Sequence, residues 1–278
     1  MKLRVVAVVL VSLGMSLTAR ANSNDLHLLN FVTKTANPQT GGFIYTQNSD
    51  MFNQLAEIMG HIIAPRVLAP GDTLGAWGIE VAYEQAFVHL NASNAALAAA
   101  VEDGSPDSFM LLPAIRFRKG LPFSLELGAT FTAIKASEMY TLGVDLRFAP
   151  IEGYYAAPDF AIRASGTRLI GSRDLDLTTV SLDFTIGKRF AVGGVMTMAP
   201  YGGYQVLLII ASSKVIDPTP SDASDTGNDF AFPFPGLAIG HRGFVGMRLN
   251  WRWLTFVAEA LIGTAEVQTY SFKLGFNL

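Results

Sequence analysis

The chain has 278 residues and a mass of 29.9 kDa; 50% of the residues are hydrophobic, 15% are charged, the net charge is −3 and the mean hydropathy is +0.33. A soluble domain carries about 25% charged residues, so this composition disfavours a protein surrounded by water. Transmembrane helices need roughly 18 or more consecutive apolar residues, and beyond the N-terminus no run of the sequence approaches that length. A closed β-barrel is the other structure that satisfies every backbone group inside a bilayer.

The N-terminus carries the pattern of a secretory signal peptide. Lys2 and Arg4 precede an apolar stretch at 5–17, and Ala19-Arg20-Ala21 supplies a small-x-small cleavage pattern. We expect residues 1–21 to be a signal peptide that is cleaved near Ala21. Its removal takes three of the 20 basic residues and none of the 23 acidic ones, which leaves 17 against 23 and a net charge of −6. That charge disfavours a nucleic-acid partner, and the lack of cysteine excludes disulfides, thiol nucleophiles and cysteine metal sites.

Residues 22–72 show no clear alternation and are expected to form a partly helical segment ahead of the barrel. After Ser49, a plausible N-cap, apolar residues recur at helical spacing up to Pro65; they are Phe52, Leu55, Ile58, Met59, Ile62 and Ile63. Three placements stay open at this point: a plug inside the barrel, a helix on the periplasmic interface, or a helix that covers the periplasmic end. Residues 43–45 are a candidate extra strand.

From residue 73 to residue 278 the sequence predicts a barrel of about ten strands. Apolar and polar residues alternate over segments of about ten or more residues, the length that a tilted membrane strand needs. In 139–149, for example, Tyr140, Leu142 and Val144 share one face, while Thr141 and Asp145 lie on the other. The predicted strands are 75–89, 108–118, 122–135, 139–149, 158–169, 175–188, 195–212, 236–251, 253–265 and 268–278.

The predicted connections divide into two kinds. An even number of strands leaves both ends of the barrel on the periplasmic side. We therefore expect the long connections 90–107 and 213–235 on the outer side and shorter turns, such as 119–121 and 190–194, in the periplasm. An aromatic girdle is expected at the periplasmic strand ends, and it consists of Phe123, Phe148, Phe160, Trp251 and Trp253.

The C-terminal strand indicates where in the cell the protein is located. Its alternate residues are apolar up to the last position; they are Tyr270, Phe272, Leu274, Phe276 and Leu278. This pattern resembles the C-terminal insertion signal of Gram-negative outer-membrane proteins, although that family usually ends in Phe and this chain ends in Leu. The resemblance implies a transmembrane antiparallel up-and-down β-barrel in the bacterial outer membrane. It also implies contact with outer-membrane lipid, lipopolysaccharide and, during insertion, the barrel assembly machinery.

Parity places thirteen charged side chains on the inner face of the barrel, with signs that tend to alternate between neighbouring strands. They are Glu80, Glu84, Arg116, Arg118, Glu126, Asp145, Arg147, Arg163, Asp183, Arg248, Arg252, Glu259 and Lys273. Such charges could line a selective path or pair with one another and close the lumen. We favour a closed lumen, because a ten-stranded barrel is little wider than the eight-stranded kind that side chains fill.

Candidate catalytic and metal-binding residues are few. His89 and His241 lie at outer strand ends but point toward lipid by parity, and His27 and His61 are isolated in the segment before the barrel. The acidic outer connection contains Asp217, Asp222, Asp225, Asn228 and Asp229, with a spacing that fits a solvated loop better than a calcium site. The aromatic stretch that follows is expected to settle at the lipopolysaccharide level or to cover the barrel mouth; it contains Phe230, Phe232 and Phe234.

These observations favour a non-enzymatic outer-membrane barrel with an occluded lumen, no cofactor and no metal, in a structural or interaction role. The first alternative is a narrow transporter or channel for small or apolar molecules, gated by residues 22–72. The second alternative is an outer-membrane hydrolase that uses a rim histidine.

Overall fold

The computed structural model describes residues 25–38, 43–101, 106–218, 229–233, 237–265 and 267–278. The predicted signal peptide and its cleavage site lie outside these residues, and so do Asp222, Asp225, Asn228 and Phe234. No helix within the described residues is long and apolar enough to cross a membrane.

The chain begins with small elements that precede the barrel. A short 3-10 helix at Leu28–Phe31 leads into strands Val32–Ala36 (β1) and Phe43–Gln47 (β2), which pair with each other in a separate two-stranded sheet. Residues 43–45 therefore do form a strand, but outside the barrel, so the even number of barrel strands is unaffected. Helix α1 follows at Ser49–Ile63.

Helix α1 begins one residue earlier than the sequence predicts. The N-cap is Asn48, whose side chain accepts a hydrogen bond from the backbone N–H of Met51 at 3.2 Å, and Ser49 is the first helical residue. Asparagine and serine are both strong N-cap residues, so two neighbouring candidates compete and geometry selects the first. The helix ends at Ile63, before Pro65, as the sequence predicts.

Ten long strands then form a closed antiparallel barrel in which sequence neighbours are spatial neighbours. Pairing of β10 with β11 and of β13 with β3 completes the ring. The fold prediction is confirmed. The elements in chain order are Ile79–His89 (β3), helix Ala95–Ala100 (α2), Phe109–Leu121 (β4), Leu125–Ala133 (β5), Tyr140–Ile151 (β6), Asp159–Ile170 (β7), Leu175–Gly187 (β8), the short Phe190–Val192 (β9), Met196–Ser213 (β10), Ala238–Trp251 (β11), Leu254–Gly263 (β12) and Gln268–Asn277 (β13).

The predicted strand limits lie within about four residues of these bounds. The largest difference is at the start of the first barrel strand, where residues 75–78 form a turn. Gly75 has a φ of +78° there, and its carbonyl accepts a hydrogen bond from the N–H of Gly78 at 3.1 Å. Strand β9 is an addition that pairs with the first residues of β10 as a short hairpin.

The two ends of the barrel differ in their connections. We call the end that holds Ile79, Leu278 and the short connections β4–β5, β6–β7, β8–β10 and β11–β12 the turn end, and the opposite end the loop end. Four of the predicted girdle residues are exposed on or beside the turn-end strand termini, namely Phe123, Phe148, Trp251 and Trp253, and Phe160 is partly exposed. The wall alternates as predicted, with apolar side chains outside: in β8, Val180, Leu182, Phe184 and Ile186 are exposed.

The N-terminal segment enters the barrel and fills it. Helix α1 packs inside the loop half against β7, β8, β10 and β11, and residues 64–74 continue through the turn half without regular structure. Of the three placements that the sequence left open, the described residues have the plug, because the apolar side chains of α1 contact inward-facing residues of the loop half.

Candidate functional site in the barrel lumen

The turn half of the lumen is lined by charged side chains. Twelve of the thirteen predicted inward charges are buried there, each at most 7% exposed. They are Glu80, Glu84, Arg116, Arg118, Glu126, Asp145, Arg147, Arg163, Asp183, Arg248, Glu259 and Lys273. We call this set the charged belt.

Arg252 is the exception, and its predicted position inside the lumen is wrong. The β11–β12 ladder ends at the pair Trp251–Leu254, so Arg252 lies in the two-residue turn between them. Its φ is +56° and its side chain is exposed. Parity assigns a face only where the backbone is extended, and the turn ends that rule one residue before Arg252.

Ion pairs join neighbouring strands of the charged belt. Arg118 on β4 donates to Glu80 of β3 at 3.1 Å and to both carboxylate oxygens of Glu126 on β5 at 2.7 Å. Lys273 of β13 reaches the same Glu80 at 2.8 Å. Since buried charges are costly unless they are paired, these contacts allow the charged belt to be buried away from water.

One ion pair passes over an intervening strand because that strand carries a glycine. Arg116 of β4 donates to Asp145 of β6 at 2.5 Å, and Gly128 of β5 faces the lumen between them. A Cβ atom at position 128 would lie 2.6 Å from both oxygens of Asp145. The missing side chain therefore provides the room in which this pair forms.

Arginines of the belt also bind the backbone of the plug. Arg163 donates to the carbonyl of Arg66 at 2.8 Å, and Arg116 donates to the same carbonyl at 3.2 Å. Arg147 donates to the carbonyl of Pro70 at 2.5 Å. These carbonyls belong to an extended segment with no strand partner, so the barrel wall supplies the donors that secondary structure would otherwise supply.

Glu259, an acidic side chain of the wall, binds the backbone N–H groups of the same segment. Its two carboxylate oxygens accept hydrogen bonds from the backbone N–H groups of Val67 at 3.2 Å and Leu68 at 2.8 Å. The hydroxyl of Tyr201 donates to it at 2.8 Å. The φ of Leu68 is +45°, an uncommon value for a branched residue. Glu259 therefore fixes the backbone at the sharpest point of the plug.

Asp72 anchors the plug near the turn end. Arg248 donates to its two oxygens at 2.8 and 2.6 Å, and Arg189 donates to one of them at 2.7 Å. Burial raises the pKa of the Asp72 carboxyl, but Arg248, Arg189 and Arg147 outweigh burial and hold the pKa below its usual value. The next residue, Thr73, donates through its backbone N–H to Glu152 at 2.7 Å.

Sequence reasoning missed three polar residues of this site. Arg242 on β11 donates to the carbonyls of His61 at 3.1 Å and Pro65 at 2.9 Å, and Gln205 on β10 bonds both Arg242 and Pro65. Arg66 of the plug lies 3.9 Å from Glu84. Arg242 could have been found, since it shares parity with Arg248. Arg66 could not have been found, because the residues around it show no periodicity that would assign its side chain to a surface.

The loop half of the lumen is apolar, and α1 lies against it. Buried side chains of α1 such as Leu55 and Met59 form one core with inward-facing residues of the wall, including Leu175, Leu177 and Ile209. At Gly60 the helix approaches β10 so closely that an added Cβ would lie 2.6 Å from Ile209. We call this region the apolar tier.

His61 fills a notch between two glycines of the wall. A Cβ atom at Gly240 would lie 2.5 Å from the His61 ring, and one at Gly263 would lie 2.7 Å from it. The His61 side chain is fully buried. It packs there as a small flat ring.

Residues of the long connections close the mouth at the loop end. The Phe232 ring stacks on Phe52 of α1 with centroids 5.2 Å apart and meets Phe31 edge-on at 6.1 Å. Of the two positions that the sequence left open for the aromatic stretch, Phe232 therefore occupies the barrel mouth.

A small polar cavity lies beside the plug. Its volume is about 20 Å³, which is room for about one water molecule. Threonines of β5, β6 and β7 line one side, and Arg66, Arg116 and Asp145 line the other. Polar atoms of these three side chains, Nε of both arginines and Oδ2 of Asp145, have no hydrogen-bond partner within the described residues.

The rim histidines face outward, as parity predicts. The Nδ1 of His241 lies 2.7 Å from the Tyr204 hydroxyl, and the His89 ring contacts the Phe109 ring at 4.9 Å. These contacts do not pair either imidazole with a carboxylate and a nucleophile. Among the described residues, no group of three or more histidine and acidic side chains is placed to hold a metal ion.

The C-terminal strand has the predicted pattern of faces. Tyr270, Phe272, Phe276 and Leu278 are exposed on the outside, Leu274 is partly exposed, and Lys273 points into the lumen. Strand β13 pairs with β12 on one side and with β3 on the other.

No protein-family model and no curated protein matches the chain. Among solved structures, the chain is similar to the KdgM porin, with 8% identity, a TM-score of 0.33 and coverage of 71% of this chain and 98% of that one. For Ail, the attachment invasion locus protein of Yersinia pestis, the identity is 12%, the TM-score 0.30 and the coverage 73% and 99%. For the translocator domain of the autotransporter NalP from Neisseria meningitidis, the identity is 8% and the TM-score 0.32, and the match covers 82% of this chain and 95% of that one. These similarities assign no ligand, partner or activity to this chain.

Proposed function

We propose that the protein is an integral β-barrel of the bacterial outer membrane whose lumen is closed by its own N-terminal segment. Its role is structural or interaction-based, and the loop end is the surface that it presents outside the cell. An apolar exterior with aromatic residues at the turn end supports a bilayer-spanning barrel. In this proposal outer-membrane lipid and lipopolysaccharide surround the wall, and the assembly machinery recognises strand β13.

The hydrogen bonds between the wall and the plug carry this proposal. Charges that line an open pore would face water, but Arg116, Arg147 and Arg163 are each at most 3% exposed and donate to plug carbonyls. Opening the lumen would exchange these charge-assisted hydrogen bonds for hydrogen bonds to water, a net loss of roughly 1.5–3 kcal/mol for each bond. The charges are therefore better suited to holding the plug than to selecting ions.

Conductance of the purified full-length protein in planar lipid bilayers tests this proposal. A barrel filled by its own chain should insert without producing stable steps of porin size. Stable large-conductance channels from the intact chain would contradict it.

A narrow passage is the second candidate, and the polar cavity of about 20 Å³ beside the plug favours it. A passage along the threonine side of the wall would admit water and small solutes and would be gated by the N-terminal segment. Swelling of liposomes that contain the full chain would then show slow uptake of small solutes, and removal of residues 25–72 would increase it greatly. No uptake by the full chain would leave the closed barrel as the better description.

A further inference from the structure

We infer that the N-terminal segment crosses the lumen from the turn end to the loop end, so that the hairpin β1–β2 belongs to the outer surface of the cell. This inference rests on the proposed function for the direction of the barrel in the membrane. It goes beyond that function, because it adds an N-terminal element to the surface that an extracellular partner would meet.

The start of the segment is fixed at the loop end by three separate connections. The Asp25 carboxylate accepts hydrogen bonds from the Ser137 hydroxyl at 2.9 Å and the Glu138 backbone at 3.0 Å. The N–H of His27 donates to the carbonyl of Ala100 at 2.8 Å, and the N–H of Leu28 donates to Asp174 at 3.0 Å. These partners belong to the β5–β6, β3–β4 and β7–β8 connections, so the position is set from several sides.

The other end of the segment is fixed at the turn end. Asp72 binds Arg248 and Arg189, and Thr73 binds Glu152 of the β6–β7 connection. The backbone then enters β3, where Ile79 exchanges hydrogen bonds with Leu278 at 3.2 and 2.8 Å.

The closed wall leaves the lumen as the path between these two ends. Each barrel strand is paired along both edges, including the β10–β11 and β13–β3 pairs that complete the ring. The 15 residues of α1 rise about 22 Å, and residues 64–74 after it can add up to about 36 Å. That length is ample for the apolar band of an outer-membrane barrel, which is about 25 Å tall.

The hairpin β1–β2 lies beyond the mouth and is open to solvent. None of its ten residues is buried, and Phe43 and Ile44 are 55% and 49% exposed. Lys34 lies over the Phe43 ring, with its Nζ atom 3.9 Å from the centroid. A membrane barrel with this plug therefore exports part of its own N-terminus, and the exported part stays attached through the lumen.

Single-cysteine labelling tests the inference cleanly, because the natural chain has no cysteine. The three variants of the full chain are Thr35→Cys in the exposed hairpin, Val215→Cys at the loop end (71% exposed) and Tyr155→Cys at the turn end (100% exposed). Intact cells are treated with a membrane-impermeant maleimide, and a second sample is treated after the membranes are opened. The cysteine-free chain is the background control.

We expect Thr35→Cys and Val215→Cys to react on intact cells and Tyr155→Cys to react only after the membranes are opened. Reaction at position 215 without reaction at position 35 would overturn the crossing and leave the proposed function intact. Reaction at position 155 on intact cells, without reaction at position 215, would show that the barrel is inserted in the opposite direction. Protection of both 35 and 215 would overturn the outward placement of the loop end, and with it this inference.

Discussion

The apolar tier and the charged belt hold one continuous segment, and they do so by different interactions. In the loop half, leucine and isoleucine side chains of the wall contact an α-helix. In the turn half, arginine and glutamate side chains of the wall contact an extended chain. The wall is made of the same ten strands in both halves. The difference in its inward side chains therefore corresponds to the part of the plug that each half contacts.

The comparison shows that the polarity of the lumen follows the hydrogen-bonding needs of the plug. A helix satisfies its own backbone, so the wall beside α1 can consist of hydrocarbon. The segment 64–74 has no internal hydrogen-bond ladder, and buried backbone groups must find partners. The wall provides these partners as charged side chains, which are then neutralised by pairs within the wall.

The largest expected effect comes from removing an aromatic ring of the apolar tier. Phe52→Ala deletes a fully buried side chain that stacks on Phe232 and should cost about 3–5 kcal/mol of unfolding free energy. In hydrogen exchange, protection should fall in α1 but not at Val67 and Leu68. Gln54→Ala, on the exposed face of the same helix, is the control. Equal loss of protection in both halves would mean that the two halves open as one cooperative unit.

A smaller effect is expected from the charged belt. Glu259→Gln keeps the shape but places an amide against three donors, from Val67, Leu68 and Tyr201, and should cost about 2–3 kcal/mol. Exchange should increase at Val67 and Leu68 and stay unchanged in α1. The matched control is Glu138→Gln, which alters an exposed pair with Arg173 and should change stability by less than about 1 kcal/mol. Similar losses for both variants would show that Glu259 does not position the plug.

The notch for His61 offers a comparison within one strand. Gly240→Ala adds a Cβ 2.5 Å from the imidazole ring, whereas Gly243→Ala on the same strand adds one with no atom within 4 Å. We expect the first variant to lose about 1–2 kcal/mol through overpacking and the second to retain the stability of the natural chain. Denaturant unfolding in detergent micelles measures both, and equal midpoints for the two variants would contradict the tight fit of α1.

The smallest expected effect is a dependence of stability on acidic pH, which arises from Asp72 in the turn half. The folded-state pKa of Asp72 lies below its usual value, so its ionised form stabilises the plug at any pH above the unfolded-state pKa of about 4. That contribution is lost as the pH falls through the folded-state pKa. Thermal unfolding of the natural chain should therefore show a steeper acid dependence than that of Asp72→Asn. Asp176→Asn, in an exposed pair with Arg168, should keep the natural slope.

The sequence predicts the wall well because the signal is local. Alternation with a period of two residues reports which face meets lipid, and it holds for strands such as β8, where Leu182 and Phe184 are outside and Asp183 is inside. The same face also carries a signal that parity alone leaves unused: Leu175 and Leu177 point inward with Asp183. The change from apolar to polar along the inner face of β8 indicates an apolar neighbour beside the start of that strand, at the loop end.

The path of the plug could not be predicted in the same way. Residues 64–74 have no periodicity, and their partners lie on many different strands, so neither spacing nor parity assigns Arg66 or Asp72 to a neighbour. The contacts of Glu259 with Val67 and Leu68 join positions more than 190 residues apart. Such contacts depend on the closed barrel, which no short stretch of sequence contains.

The seam between β3 and β13 has a consequence for the order of folding. It joins the first barrel strand to the last, with Glu84 opposite Lys273, so it closes the longest loop of the chain and carries the largest entropic cost. Once this seam has formed, the N-terminal segment can enter or leave the lumen only lengthwise. Once the ring is closed, retention of the plug becomes a matter of unfolding rate and not only of binding energy.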